Sequence, residues 1–216
     1  MAQRALRTRR SWLGEEEGRG FEEAAPPGPV ISVTIMPKGR CYRLARSITE
    51  RLARVQGGLA TPQPHITIQG VYDNADLAPI KERVAWVAAT TAPFCVNVTG
   101  IGLLTSPSDP SLLYLHLHVE KSEELLDLYA HLKGELDALG LHTYAYSPED
   151  WVPHLTLASG RWSRRELMEL LQELEPELPV CVLPADEVQL NRLNGEKDWR
   201  CVARFPLTGV RAQPCR

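Results

Sequence analysis

The chain has 216 residues, 44% hydrophobic and 24% charged, an ordinary globular composition with enough apolar side chains for a sizeable core. A formal net charge of −3 excludes the basic footprint of a protein that wraps long nucleic acid, so a nucleic-acid ligand is expected to be a terminus or a short piece. No apolar run approaches the roughly 20 residues of a membrane span, and no membrane partner is expected.

Residues 1–29 differ from the remainder. Five arginines and five glutamates cancel in charge there and are followed by Ala-Ala-Pro-Pro-Gly-Pro, which reads as a flexible extension rather than an RNA-binding arm. No apolar stretch follows the arginines as a secretory signal would require, and the glutamates argue against a transit peptide. The five cysteines, Cys41, Cys95, Cys181, Cys201 and Cys215, form no Cys-x-x-Cys pair and are odd in number. Free thiols in a reducing cytoplasm are expected from that pattern, in preference to disulfides or zinc.

The remaining elements fall into 30–207, with a short tail at 208–216. Val30 to Met36 is rich in β-branched residues and predicts a strand stopped by Pro37 and Gly39. From Cys41 to Gln56, apolar Leu44, Ala45, Ile48, Leu52 and Val55 recur at helical spacing, and Gly57-Gly58 ends the pattern. A strand over 65–72 follows, then an amphipathic helix marked by Leu77, Ile80, Val84 and Val87. Strands at 94–104 and 112–119 flank a Thr-Ser-Pro-Ser-Asp-Pro loop and predict a hairpin.

The order then repeats. A helix with Leu125, Tyr129, Leu132, Leu136 and Leu139 on one face ends at Gly140, and a strand over 154–158 precedes a helix carrying Leu167, Leu170, Leu171 and Leu174. Strands at about 178–192 and 199–207 surround Asn194-Gly195. The closing strand of each half begins at nearly the same distance past its Pro-His pair, at 112 after His65 and at 199 after His154, so the chain reads as a quasi-duplication. Alternating helices, strands and hairpins predict an α+β fold: two pseudo-symmetric lobes of mainly antiparallel sheet backed by helices, with a cleft between them.

The two strands at 65 and 154 carry near-identical segments, Pro64-His65-Ile66-Thr67-Ile68 and Pro153-His154-Leu155-Thr156-Leu157. Side chains at i and i+2 of a strand share a face, so each copy offers one imidazole and one hydroxyl together while its aliphatic residues face a core. Two imidazoles at one ligand permit acid–base chemistry near neutral pH: one neutral ring takes a proton from an attacking oxygen and one protonated ring gives a proton to a leaving oxygen. Thr67 and Thr156 would donate to the non-bridging oxygens on which charge builds in phosphoryl transfer. His116 and His118, at i and i+2 on a strand, are better explained by packing or a cleft rim than by a zinc site. Trp151, Tyr146 or Tyr114 could stack on a base, although aromatics at strand ends more often belong to a core. Arg192 could grip a phosphate, with a solvent-facing charge the simpler reading.

This pair of His-x-Thr-x motifs, each preceded by proline and set in a duplicated order of elements over residues 30–207, resembles the two-histidine phosphoesterase superfamily in its 2′-5′ RNA ligase-like branch. The resemblance implies a metal-independent enzyme without a cofactor, and the chain is expected to be a monomer of the cytoplasm. It would open 2′,3′-cyclic phosphate RNA ends, or related cyclic nucleotides, to 2′-phosphates, and sometimes join ends in reverse. It implies His65 as proton donor and His154 as acceptor, with Thr67 and Thr156 binding the phosphate. The alternative is a catalytically idle module of the same fold that holds an RNA end or a nucleotide.

Overall fold

The computed structural model describes residues 29–54, 58–60, 63–106, 109–174, 180–195 and 198–210. All but the last residue of the expected N-terminal extension, and residues 211–216 of the tail, lie outside the described residues.

β1 (Ile31–Ile35) leads into α1 (Gly39–Leu52), whose Cys41, Ala45, Ile48 and Leu52 are buried at helical spacing. β2 (Gly58–Ala60) and β3 (Ile66–Val71) precede α2 (Leu77–Thr90), capped where the Asp76 carboxylate accepts from the Ala78 amide. β4 (Phe94–Thr105) and β5 (Leu113–Val119) form the expected hairpin. α3 (Glu123–Asp137) is capped by the Ser122 hydroxyl, carries Glu123 and Glu124 in its first turn, and buries Leu125, Leu128, Tyr129, Leu132 and Leu136. β6 (His154–Gly160), α4 (Arg164–Leu174), β7 (Cys181–Ala185), β8 (Glu187–Asn194) and β9 (Asp198–Pro206) complete the chain, with Gly195 taking positive φ at 69° in the β8–β9 turn.

The strands form one sheet in the order β7-β4-β5-β6-β3-β1-β8-β9, with β2 added alongside β6. Its neighbours are paired antiparallel. The two lobes are its two arms, β7-β4-β5-β6 and β3-β1-β8-β9. At the seam between them, a single residue pair of β3 and β6 is in register. The arms do not follow the halves of the chain: β8, from the end of the sequence, pairs with β1 at its beginning. The helices cross over too, with α1 packing on β6 and β7, α2 on β8 and β9, and α3 on β3. Their apolar faces and one face of the sheet make a single buried cluster that includes Ile48, Val84, Leu132, Ile66 and Leu155.

Three expectations change. α1 stops at Leu52, and Gly58, expected only to end a helix, opens β2, which pairs with Ser159 and its neighbours. The single strand expected over 178–192 is two, broken at Asp186, because β7 pairs with β4 at one edge of the sheet while β8 crosses to the other arm. Cysteines are the third correction: Cys41 is disulfide-bonded to Cys181, Cys95 is also disulfide-bonded, and among the described residues Cys201 is the free thiol. The packing of α1 over β7 brings Cys41 and Cys181 to a Cα separation of 5.7 Å, a proximity that no spacing in the sequence betrays. A reducing compartment can therefore not be read from free thiols. No helix among the described residues is long and apolar enough to cross a membrane.

Candidate active site

At the seam, Ile66 of β3 faces Leu155 of β6 in antiparallel register, and both point into the helix-side core. Antiparallel alternation then sets Thr67 across from His154 and His65 across from Thr156, with all four side chains on the opposite face. The four are half-buried, whereas Ile66, Ile68, Leu155 and Leu157 are buried. Each imidazole thus has the other motif's hydroxyl as its cross-strand neighbour.

Both strands are interrupted at the same place. The β1–β3 ladder pairs Thr34 with Thr67 and Val33 with Gln69, leaving Ile68 as an extra residue, while the β5–β6 ladder pairs His116 with Thr156 and Leu115 with Ala158, leaving Leu157 extra. A bulge reverses which face the following residues occupy. In each motif it confines the polar face to the His and Thr. Gln69 is carried to the helix side, where it is fully buried near Tyr129 of α3.

The proline before each histidine has a structural consequence. Nδ1 of His65 lies 2.8 Å from the carbonyl oxygen of Gln63, and Nδ1 of His154 lies 2.7 Å from that of Val152, in both cases reaching back across the proline. A carbonyl oxygen only accepts, so each Nδ1 carries its hydrogen and each Nε2 is the atom left for a ligand. Burial lowers the proton affinity of both rings, opposed at His65 by the Gln63 carbonyl. At His154 burial again dominates and the Val152 carbonyl opposes it, while the nearby His65 lowers the proton affinity further. Either ring can hold a proton on Nε2 or take one there, but two protonated rings would repel each other.

Residues that sequence reading did not assign to the site border it. Thr34 lies across from Thr67, and its hydroxyl accepts from Asn191 Nδ2 of β8 at 2.9 Å. His116 lies across from Thr156 with its ring 5.1 Å from that of His154, so the packing expected of it takes place at the site itself. The exposed His118 is paired with His154 in the ladder. Among the described residues no three His, Cys, Asp or Glu side chains converge as a set of metal ligands.

Of the candidate base-stacking residues, Trp151 is only 4% exposed and stacks on Tyr129 at 4.4 Å, so it is core. Tyr146 is 44% exposed and meets Tyr144 edge-on at 6.0 Å. Tyr114 is half-buried two residues before His116, on the same face of β5. Arg192 donates to the Asn74 side-chain oxygen at 2.6 Å, which engages the group that could have gripped a phosphate.

A model of the 2′-5′ RNA ligase superfamily matches residues 42–197 of this chain. A curated relative, the RNA 2′,3′-cyclic phosphodiesterase of Geobacillus stearothermophilus, is 28% identical over 152 residues, which cover 68% of this chain but 46% of the relative, so the chain spans about half of that protein's length. Among crystal structures, TT0787 of Thermus thermophilus aligns with a TM-score of 0.63 at 16% identity, over 84% of this chain and 99% of that one. E. coli LigT complexed with 3′-AMP aligns with a TM-score of 0.54 at 14% identity, over the same 84% and 99%. At those identities the likeness is one of fold.

Proposed function

The chain belongs to the 2′-5′ RNA ligase superfamily of two-histidine phosphoesterases, and we propose that it is a phosphodiesterase that opens 2′,3′-cyclic phosphate RNA ends to 2′-phosphates. The observation that carries this reading is the identical anchoring of the two rings, His65 to Gln63 and His154 to Val152, which leaves both Nε2 atoms on one face beside two threonine hydroxyls.

The attacking water gives a proton to Nε2 of neutral His154 as its oxygen bonds to phosphorus. The bond from phosphorus to O3′ breaks, and O3′ takes the proton from Nε2 of protonated His65, leaving a 2′-phosphomonoester and a 3′-hydroxyl. His65 then carries the neutral ring and His154 the charged one, so one proton exchange with solvent resets the pair. In both roles the Nδ1–H bond to the carbonyl holds the ring plane and stabilises the imidazolium while it lasts. Thr67 and Thr156 donate to the two non-bridging oxygens, whose charge the scheme must support. A 5′-hydroxyl of a second RNA in place of water would leave a 2′,5′-phosphodiester by the same displacement. The assignment of His65 as acid and His154 as base follows the family; the near-symmetric seam accepts either.

The test is to incubate the purified protein with an oligoribonucleotide ending in 2′,3′-cyclic phosphate and identify the product. A 2′-phosphate terminus is expected. Tight binding of the oligonucleotide without turnover would replace this reading with that of an idle RNA-end-binding module, and a 3′-phosphate product would overturn the displacement at O3′.

A further inference from the structure

His116 occupies an unusual position for a histidine. Its side chain is in a residue only 2% exposed, and its Nδ1 is buried with no hydrogen-bond partner of good geometry among the described residues. A buried ring nitrogen left in that state is a cost that an apolar side chain of similar size would avoid, so it asks for an explanation. On one side the ring lies over β4 at Gly102, its partner in the ladder: a Cβ added there would stand 2.6 Å from His116 Cε1 and 2.7 Å from Nε2. On the other side the ring meets that of His154, with centroids 5.1 Å apart and planes inclined at 60°. The glycine makes the room, and the imidazole fills it up to His154.

We propose that His116 is a positioning residue for His154, a ring seated on Gly102 that forms the wall holding the His154 imidazole in the plane where Nε2 meets the phosphate. The Nδ1 bond to Val152 fixes one edge of the His154 ring but leaves it free to rock about that contact, and His116 removes this freedom. The same wall keeps water from the flank of His154. Burial, opposed by the Leu117 backbone and aided in smaller measure by the neighbouring His154 and His118, pushes the His116 pKa down to about 4, so the wall is uncharged at neutral pH and adds no repulsion when His154 accepts a proton. The other ionisable groups facing His154 are His65 from β3 and His118 from β5.

The kinetic part of this inference rests on the proposed phosphodiesterase reading; the effect on the ring itself does not. The experiment therefore follows the His154 imidazole resonances through a pH titration without substrate, in wild type, His116→Ala and His116→Phe, beside steady-state kinetics on the cyclic-phosphate oligonucleotide. In His116→Ala, water reaches His154: its titration midpoint rises towards about 6.5, and kcat falls at least about 10-fold with KM changed by less than about 3-fold. His116→Phe restores an uncharged ring and recovers both quantities. Should His116→Ala not fold, Gly102→Ala pushes the same ring from its other side towards His154 and is expected to move the His154 midpoint the opposite way, downward, because the displaced ring covers His154 more closely. An unmoved His154 midpoint in the folded Ala variant overturns the proposal. So does a His116→Phe variant as slow as His116→Ala while His154 titrates as in wild type, since His116 would then touch the substrate itself. A wild type inactive on cyclic phosphate refutes the phosphodiesterase reading alone, and the resonances still decide the role of His116.

Discussion

His65 and His154 are oriented by one device used twice: each donates Nδ1–H to the carbonyl oxygen two residues before it, at 2.8 Å and 2.7 Å. Proline stands between donor and acceptor in both, fixing φ of the intervening residue and so the distance over which the ring reaches back. Because the device is local, it survives substitutions elsewhere in the site, and the contribution of each ring can be measured singly.

His65→Ala and His154→Ala are each expected to cut turnover at least about 10²-fold, as the loss of a positioned proton-transfer partner does. Both side chains are half-buried at the sheet surface, so folding should persist, which circular dichroism and thermal unfolding would verify. Thr67→Val and Thr156→Val remove one hydrogen bond to a charged oxygen and should cost about 1.5–3 kcal/mol in kcat/KM. Wild-type rates in either histidine variant would dismiss the site.

The free protein should show a bell in kcat/KM against pH with its maximum on the acid side of about 6.5, the ordinary histidine value. Activity rises as the base loses its proton and falls as the acid loses its own. Burial lowers the proton affinity of both rings, so both limbs move down from that value. The two apparent values belong to the coupled pair. A profile that climbs steadily through about pH 8, with chemistry rate-limiting, would contradict a two-imidazole scheme.

Binding of the product's phosphate should draw in a proton at about pH 7. Both rings favour the neutral form in the free protein, and an anion placed between them favours the charged form of one. Titration calorimetry of a nucleoside 2′-phosphate in buffers of different ionisation enthalpy measures the uptake directly. No buffer dependence would mean that neither ring meets the phosphate.

Acid should weaken the fold through His116. Its folded pKa, about 4, lies below the ordinary histidine value of 6.5, so the unfolded chain binds the proton first as pH falls. The stabilisation is complete above about pH 6.5 and is lost progressively between there and about pH 4. Urea midpoints measured at pH values from about 7 down to about 5 should fall more steeply in wild type than in His116→Phe, and parallel slopes would refute the assignment.

Much of this was legible in the chain. Helical spacing located α2, α3 and α4, and the pleat placed Ile66 with Ile68, and Leu155 with Leu157, away from the polar pair. What escaped reading depends on contacts between residues distant in sequence. The bulges at Ile68 and Leu157 exist only relative to β1 and β5. The break at Asp186 is a change of partner strand and not a change of composition. His116 reads as an ordinary inward residue of a strand until Gly102 and His154 are seen on its two sides.

The disulfide between Cys41 and Cys181 closes a sequence separation of 140 residues, so reduction should lower stability by about 2–5 kcal/mol, the usual range for removing such a link. Denaturant unfolding of wild type and Cys41→Ser, with and without reductant, measures it: reductant should destabilise wild type more than the variant. Equal sensitivity would place the effect elsewhere.

The exchange of strands between the arms makes the molecule resistant to being divided. With β8 seated on β1, α1 packed on β6 and β7, and β4 and β5 together in one arm, a nick between β4 and β5 followed by reduction of the Cys41–Cys181 bond gives two fragments, neither of which contains a whole arm. Each would carry bare strand edges that only the other fragment fits. Mixed together, they are expected to find each other and rebuild the seam, while either one alone would collapse or aggregate. The duplicated unit is thus a repeat in the sequence but not a separable part of the machine, since the two histidines meet only when both halves of the chain are woven through each other.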